Sequence, residues 1–287
     1  MDARLQRRVQ RYGWDRAADC YERRWQEQLA PAHELMLALA DLRPGEQVLD
    51  VACGTGLVTR QASVAVGAVG SVVGTDLSGE MVEAATRVAG RHGCGRMRFE
   101  RADAEDLPFA DRSFDVALCG LGLMYVPDPI LALQEMRRVL RPWGRAAVAV
   151  WGARQACGWA EIFPITDARV ASDVCPMFFH LGTKDTLARA FAAAGFVDVE
   201  LERIATTLRY ASADEALEAV FRGGPVALAY SRFDAATRAA VHAEYLASIA
   251  AYADGAGFRI PGEFVVAAAR HSATSIRRDR EFAHVHH

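Results

Sequence analysis

The segment Val48-Leu-Asp-Val-Ala-Cys-Gly-Thr-Gly56 decides the fold of this 287-residue chain. It overlaps a short apolar run, Gln47 to Ala52, whose β-branched residues predict a buried strand. Glycines follow at once, and at a strand-to-helix turn they let a ligand lie directly against the backbone. Exposed N–H groups at the start of the next helix favour a carboxylate or a phosphate. The segment therefore predicts a strand, a ligand-binding loop and a helix.

Strands and helices alternate after this loop. Short segments that are apolar or alternating predict four more strands: 72–76, 97–101, 114–119 and 146–151. Ser78 predicts a helix start, and residues 129–140 have helical periodicity. Buried strands that are separated by helices predict a parallel sheet with helices on both faces.

The flanking regions have weaker patterns. Residues 1–42 are amphipathic and predict helices that break at Pro31, whereas 153–182 have no clean periodicity. The remainder predicts a helix at 183–194 and a strand at 196–203. Two helices at 212–222 and 234–253, separated by Gly223-Gly224-Pro225, and a final strand at 263–267 follow.

Composition and charge exclude several classes of protein. With 52% hydrophobic and 24% charged residues the chain is globular, and a net charge of -3 argues against nucleic-acid binding as its main function. The sequence starts without an apolar core and contains no run of 18 apolar residues, so we expect neither a secretion signal nor a membrane span. The six cysteines lack metal or disulfide spacing, which favours reduced thiols in a cytoplasmic protein and no metal site.

Two acidic residues narrow the choice of ligand. Asp76 ends the second strand, where a carboxylate can accept both hydrogen bonds of a ribose diol. A dinucleotide-binding loop would have a third glycine where Thr59 stands. Asp50, just before the loop, would repel a pyrophosphate but suits a cationic amino group. S-adenosylmethionine has an amino group and a sulfonium and no phosphate, so it is the cofactor that we expect.

The chain resembles the class I S-adenosylmethionine-dependent methyltransferases, and most closely their small-molecule, ubiquinone/menaquinone-biosynthesis-like branch. The resemblance is strong over 45–151 and weaker over 195–199. Five motifs in register carry it: 48–56, 74–78 with Met81, 101–109, 113–119 and 132–142.

This resemblance implies a role for each motif residue. Gly54 and Gly56 would line the methionine part, with Asp50 near its amino group. Asp76 would hold the ribose, and Asp103 would meet the adenine amino group. Outside these motifs, we expect Tyr21 of the N-terminal helix to close over the cofactor. The full set of implied cofactor-binding residues is Tyr21, Asp50, Ala52, Cys53, Gly54, Gly56, Asp76, Leu77, Met81, Asp103, Ala104, Cys119 and Leu121.

The resemblance also implies the architecture. We expect an α/β, Rossmann-like sheet with strand order 3-2-1-4-5-7-6, the last strand antiparallel, and helical lid additions. The implied divisions are an N-terminal helical lid (1–42), a cofactor-binding core (43–152) and an insertion near the substrate (153–182). The rest of the sheet (183–269) contains a helical insertion at 206–257, and a mobile tail (270–287) follows. One departure is Pro142-Trp143-Gly144, where the family has Pro-Gly-Gly. Since tryptophan disfavours a positive φ, we expect a different turn there.

The activity implied is methyl transfer to an O, N or C atom of a small organic molecule. Two alternatives stay open: a non-catalytic S-adenosylmethionine-binding protein, and a nicotinamide-dependent oxidoreductase, which Thr59 disfavours. We expect a small-molecule substrate, no nucleic-acid or membrane partner, and a monomer or homodimer. His180, in an aromatic part of the insertion, and Tyr125, just after the fourth strand, are the candidate general bases. His180 could instead form hydrogen bonds within its loop.

Overall fold

One long helix precedes the sheet. The computed structural model describes residues 2–92, 96–170, 175 and 177–272, and α1 (Ala3–Ala40) runs through Pro31 without a break. The predicted interruption at Pro31 is therefore wrong. Proline removes one backbone donor and crowds the preceding turn, but Leu29, Ala32 and Met36 on either side of it are buried in the core. The packing of this face outweighs the local cost.

The remaining elements alternate along the chain. The strands are β1 (Gln47–Val51), β2 (Ser71–Asp76), β3 (Arg96–Arg101), β4 (Phe114–Gly120), β5 (Leu140–Trp151), β6 (Phe196–Tyr210), β7 (Ala253–Asp254) and β8 (Gly257–His271). The helices are α2 (Leu57–Val66), α3 (Gly79–His92), α4 (Pro129–Val139), α5 (Ile162–Asp167), α6 (Thr186–Ala193), α7 (Ala213–Phe221), α8 (Ala227–Ser231) and α9 (Ala235–Ser248).

The described strands form one sheet in the order β3-β2-β1-β4-β5-β8-β6, with the two-residue β7 paired to β8. Strands β1 to β5 are parallel, and β8 is antiparallel to both β5 and β6. Because β8 is the seventh long strand, this confirms the predicted order 3-2-1-4-5-7-6 and its antiparallel last strand. The parallel arrangement brings the ends of β1, β2 and β4 to one edge of the sheet.

The last two long strands extend further than the sequence pattern indicates. β6 and β8 pair from Phe196 and His271 at one end to Tyr210 and Phe258 at the other. The helical insertion, predicted to fill 206–257, therefore starts only at Ala213. This insertion contains three helices where two were predicted, because α8 forms between the Gly-Gly-Pro break and the Asp234 cap of α9.

Trp143 does adopt a positive φ, of 68°, so the expectation that it would avoid one is wrong. Its side chain is exposed, which gives a large residue room at this position. Gly144 next to it lies against the carbonyls of Asp115 and Arg141, where an added Cβ would come within about 3.0 Å of either oxygen. The glycine therefore occupies the position of close backbone contact, whereas the tryptophan adopts the left-handed conformation.

Three expectations concern the rest of the chain. Within the described ranges, no helix combines the length and the apolar character that crossing a membrane requires. The described cysteines are unpaired, and all but Cys175 are buried; Cys94 lies outside the described residues. The tail was predicted to begin at residue 270, but β8 continues to His271, and 273–287 lie outside the described residues.

Candidate active site

The glycine loop after β1 is shaped by left-handed backbone conformations. Ala52, Gly54 and Gly56 have φ values of 55°, 55° and 83°. The Cys53 N–H donates to the Thr75 carbonyl at 2.9 Å, which ties the loop to the end of β2. Glycine tolerates these angles without steric cost, so the chain can turn sharply from β1 into α2 and leave backbone facing the space above the sheet.

Asp76, the last residue of β2, holds this loop in place. One carboxylate oxygen accepts from the Gly54 N–H and the other from the Ser78 N–H, both at 2.9 Å. The side chain is nearly buried, and burial raises its pKa to about 6. Each carboxylate oxygen can accept more than one hydrogen bond. Asp76 can therefore organise the loop and still accept hydrogen bonds from a diol.

Asp50 lies beneath the loop and is fully buried. Its Oδ2 accepts from the Thr59 hydroxyl at 2.6 Å, whereas its Oδ1 has no hydrogen-bond partner among the described residues. Burial raises its pKa to about 7. It interacts with a second carboxyl, Asp76, and with Tyr21, Cys53 and Cys119, whose raised pKa values keep them protonated and neutral. A buried carboxylate with a free oxygen and a second carboxyl nearby is complementary to a cation.

A single cavity of about 1080 Å³, counted with its open mouth, lies above these residues at the carboxyl ends of the parallel strands. Ligands bind at this position in open α/β sheets. One part, the loop half, contains predicted cofactor residues: Ala52, Gly54, Asp76, Leu77, Met81, Asp103, Ala104 and Leu121. The other part, the aromatic half, is lined by Trp25, Leu29, Trp151, Trp159, Ile162, Phe178, Val220, Gly223, Gly224 and Pro225.

Four residues of the predicted cofactor set do not line the cavity. Asp50 and Cys119 are buried in the strands below it, and Cys53 is buried under the loop. Gly56 closes the loop with its Cα facing the Phe99 ring. Burial raises the pKa of the Cys53 and Cys119 thiols, so both stay protonated at neutral pH. These four residues support the loop from the side that faces away from the cavity.

Asp103 has a partner that the sequence did not reveal. Its Oδ2 lies 2.8 Å from the Arg7 guanidinium of α1, and its Oδ1 accepts from the Glu105 N–H. Arg7 also pairs with the buried Glu105 at 2.6 Å. Glu105 in turn accepts from the Asp128 N–H before α4. Arg7 thus fastens the first turns of α1 to the loop half.

The aromatic half is assembled from four separate parts of the chain. Trp25 of α1 donates its indole N–H to the Gly223 carbonyl at 2.9 Å and meets Trp151 at the end of β5 edge-on. Trp159 and Phe178 of the insertion continue the cluster, with ring centroids 5.6 Å apart. Among the described residues that line this half, none carries a charge. Such walls favour an apolar, ring-bearing ligand.

The structure does not support either candidate base. His180 is exposed and is not among the residues that line the cavity. Tyr125 does line it, between Trp14 and Phe178. However, burial raises the pKa of Tyr125 far above its ordinary value, so the phenol keeps its proton at neutral pH. In this protonated form Tyr125 can donate a hydrogen bond to a bound ligand.

The sequence analysis named Tyr21 as a residue of α1 at this site but missed others. Arg7, Gln10, Trp14 and Trp25 line the cavity together with Tyr21. Their spacing of three, four or seven positions is that of one helix face. This periodicity was the available signal, but it does not show which element the face contacts.

Comparisons with known proteins agree with this geometry. Residues 48–144 match a family described as a methyltransferase domain. A demethylmenaquinone methyltransferase of Staphylococcus aureus (strain JH9) is 34% identical over 174 residues, which cover 56% of this chain and 71% of that protein. The chain belongs to the class I S-adenosylmethionine-dependent methyltransferases. Its cofactor is S-adenosylmethionine, as predicted, and it is an enzyme that catalyses methylation.

Solved structures share the fold of this methyltransferase. A putative methyltransferase from Bacillus halodurans C-125 superposes with a TM-score of 0.60 at 20% identity, covering 84% of this chain and 99% of that one. Phosphoethanolamine N-methyltransferase 2 of Haemonchus contortus, in complex with phosphomonomethylethanolamine and S-adenosylhomocysteine, gives 0.58 at 17% identity, covering 90% and 57%. At these identities the likeness establishes the fold alone.

Proposed function

We propose that this methyltransferase transfers a methyl group to an O, N or C atom of a small, uncharged, largely apolar organic molecule held in the aromatic half. The observation that carries the proposal is the composition of that half: tryptophan and phenylalanine rings surround it, and none of its described lining residues is charged. An acceptor with a bare charge would lose its hydration there without gaining a partner.

The loop half is the proposed cofactor site. Asp50 would stabilise the cationic amino group through its charge from beneath the loop, since its buried Oδ1 has no other described partner. Asp76 would accept from the ribose, and Leu77 and Met81 would pack beside the adenine, as the family resemblance implies. When bound, the cofactor supplies a methyl group that its sulfonium has already activated.

The protein then aligns the acceptor with the reacting centre and excludes water from the site. Alignment of a bound acceptor with the reacting centre can account for much of a rate enhancement, and closure against water strengthens local electrostatics. Of the two candidate bases, Tyr125 stays protonated and His180 does not line the cavity, and no charged residue is among the described residues that line the aromatic half. We therefore propose an acceptor atom that is nucleophilic without a protein base and belongs to an uncharged molecule, such as the nitrogen of a weakly basic aromatic amine or an electron-rich ring carbon.

The relatives support a small-molecule acceptor and help to select its class. The name of the S. aureus protein gives demethylmenaquinone as its substrate. The H. contortus structure contains a phosphate-bearing acceptor. A phosphate needs a cationic partner, and Arg7, the arginine of this cavity wall, is already neutralised by Asp103 and Glu105. This pairing favours an uncharged acceptor here.

We also propose that the enzyme acts in the cytoplasm as a monomer or homodimer and without a nucleic-acid partner. The net charge of -3 supports the last point, because binding to a phosphate backbone needs a surplus of positive charge. Size-exclusion chromatography with light scattering measures the assembly, and a larger oligomer would contradict this part of the proposal.

The test is a labelled-methyl assay on a metabolite extract, divided into a fraction that enters an organic solvent at pH 7 and a fraction that stays in water. We expect the label in the organic fraction, with the product identified by mass spectrometry. Asp76→Ala is the matched control, because it should abolish labelling through loss of cofactor binding. Label found only in charged compounds, protein or nucleic acid would contradict the proposed acceptor class.

A further inference from the structure

Three aromatic rings meet where the two halves of the cavity join. The Trp14 ring of α1 lies 5.7 Å from the Tyr21 ring and 5.0 Å from the Tyr125 ring, measured between centroids. The interplanar angles are 88° and 79°, so Trp14 stands nearly perpendicular to both tyrosines. All three residues line the cavity. Trp14 therefore contacts both tyrosines edge-to-face, and the three rings form one corner of the cavity wall.

Each tyrosine belongs to a different side of this junction. Tyr21 lies over the glycine loop, 3.7 Å from where a Cβ on Gly54 would be, and it interacts with the acids Asp50 and Asp76. Tyr125 packs against Phe178 of the aromatic half at 5.4 Å. Trp14 bridges the two tyrosines. A methyl group transferred from the loop half to the aromatic half would pass this junction, so the three rings would lie beside the position of transfer.

We propose that Trp14, Tyr21 and Tyr125 form an aromatic cage for the positively charged sulfonium of S-adenosylmethionine. The cage raises the affinity for S-adenosylmethionine relative to that for the product S-adenosylhomocysteine, whose sulfur is uncharged. This inference rests on the proposed placement of the cofactor in the loop half. Aromatic faces attract onium ions most strongly where water is excluded.

The surroundings favour a cation at this corner. The nearest charges on the loop side are Asp50 and Asp76, and the one arginine of the described wall, Arg7, is paired with Asp103 and Glu105. The three rings also differ from the rest of the aromatic cluster. Trp151, Trp159 and Phe178 are at most 3% exposed, whereas Trp14, Tyr21 and Tyr125 are only half-buried. Packing therefore leaves the cage rings accessible to a ligand.

The test is calorimetric binding of S-adenosylmethionine and S-adenosylhomocysteine to the full chain and to Trp14 variants. Trp14→Leu removes the aromatic ring, and we expect the preference for the sulfonium form to fall by about tenfold, the size of a desolvated cation–π contact. Trp14→Phe keeps a ring and should retain most of the preference. Trp143→Leu, at an exposed tryptophan outside the cavity, is the matched control and should change neither affinity.

The outcomes separate this inference from the proposed function. If the wild-type enzyme binds both ligands and Trp14→Leu lowers the affinity for both by the same factor, the cage proposal is wrong, but the proposed cofactor site is unaffected. If wild-type affinity is unaffected by Asp76→Ala, the proposed cofactor site itself fails. Should Trp14→Leu not fold, Tyr125→Leu tests the same ratio from the other side of the corner, and an unchanged ratio there overturns the cage.

Discussion

The loop half and the aromatic half of the cavity are built in different ways. The loop half consists of residues at the ends of β1, β2, β3 and β4 or shortly after them, so the register of the sheet positions them. The aromatic half combines α1, the end of β5, the insertion and the segment after α7. The first holds buried acids, whereas the second has no charged lining residue among those described.

This difference indicates how the enzyme divides its tasks. Strand ends of a parallel sheet form a rigid frame, which suits a cofactor that every catalytic cycle must place in the same way. Packed side chains from separate segments can change without disturbing that frame, which suits an acceptor that differs between relatives. Substitutions should therefore distinguish the two halves. Changes in the aromatic half should alter stability or acceptor use, and changes in the loop half should alter cofactor binding.

The largest effect is expected in the aromatic half. Trp159→Ala should lower the free energy of unfolding by about 3–5 kcal/mol, because a large ring is removed from a packed cluster. Trp159 is 2% exposed and contacts the rings of Trp25, Trp151 and Phe178. Urea unfolding measures the loss, with Trp143→Ala as the surface control. A tenfold change in S-adenosylmethionine affinity in the folded variant would show that the halves are not separable.

The next effect belongs to the loop half. Asp76→Ala should weaken S-adenosylmethionine binding by about 2–3 kcal/mol, because charge-assisted hydrogen bonds are lost. The same change frees the N–H groups of Gly54 and Ser78, which loosens the loop. Calorimetry measures the dissociation constant, and Asp76→Asn, which keeps the shape of the side chain, should fall in between. An unchanged constant in Asp76→Ala would refute the ribose role.

The pH dependence of S-adenosylmethionine affinity should test the loop half in the wild-type enzyme, without any substitution. Burial raises the pKa of Asp50 to about 7 and that of Asp76 to about 6, so these carboxyls bind protons in the ligand-free enzyme. A cationic ligand favours their ionised forms, so S-adenosylmethionine affinity should rise by about tenfold from pH 6 to pH 8. Asp50→Asn should flatten the profile. A flat profile in the wild-type enzyme would contradict the role of Asp50.

The stability of the ligand-free enzyme should change with pH in the opposite direction. The folded state holds protons on Asp50 and Asp76 that the unfolded chain releases at its lower, ordinary carboxyl pKa near 4. These two groups therefore lower stability as the pH rises from about 4 to about 7. Thermal unfolding across this range measures the loss, and Asp50→Asn should remove part of it. A stability profile over this range that is the same in Asp50→Asn as in wild type would argue against this linkage.

The smallest effects concern the residues first considered as bases. Tyr125→Phe should change turnover by less than about threefold, because the phenol stays protonated and only a hydrogen bond is lost. His180→Ala should have no effect, because its side chain is exposed outside the cavity. Turnover between pH 6 and pH 9 measures both. A large loss in either variant, concentrated at one side of that range, would restore it as a base.

The loop half was largely accessible to sequence reasoning because its signals are local. The 48–56 motif and Asp76 fall at strand ends, and the sheet register then brings Asp50 beside Gly74 and Leu118. What the sequence did not reveal were partners from distant parts of the chain. Arg7 lies 98 positions from Glu105, and no local pattern states that they pair.

The aromatic half could not be predicted in the same detail, since tertiary packing decides it. Trp25 and Gly223 are 198 positions apart, and their hydrogen bond depends on how α1 crosses the sheet. The same packing carries α1 through Pro31, where local preference predicts a break. Trp14 lies on the same helix face as Tyr21 and Trp25, yet helical spacing alone does not distinguish a ligand-facing side chain from a core one.

The most direct test of this division is a crystal structure of the enzyme with S-adenosylhomocysteine. We predict that the ligand lies in the loop half, with its ribose at Asp76 and its sulfur at the junction of Trp14, Tyr21 and Tyr125, and that the aromatic half stays free for the acceptor. A ligand found among Trp25, Trp151 and Trp159, or outside this cavity, would contradict the account.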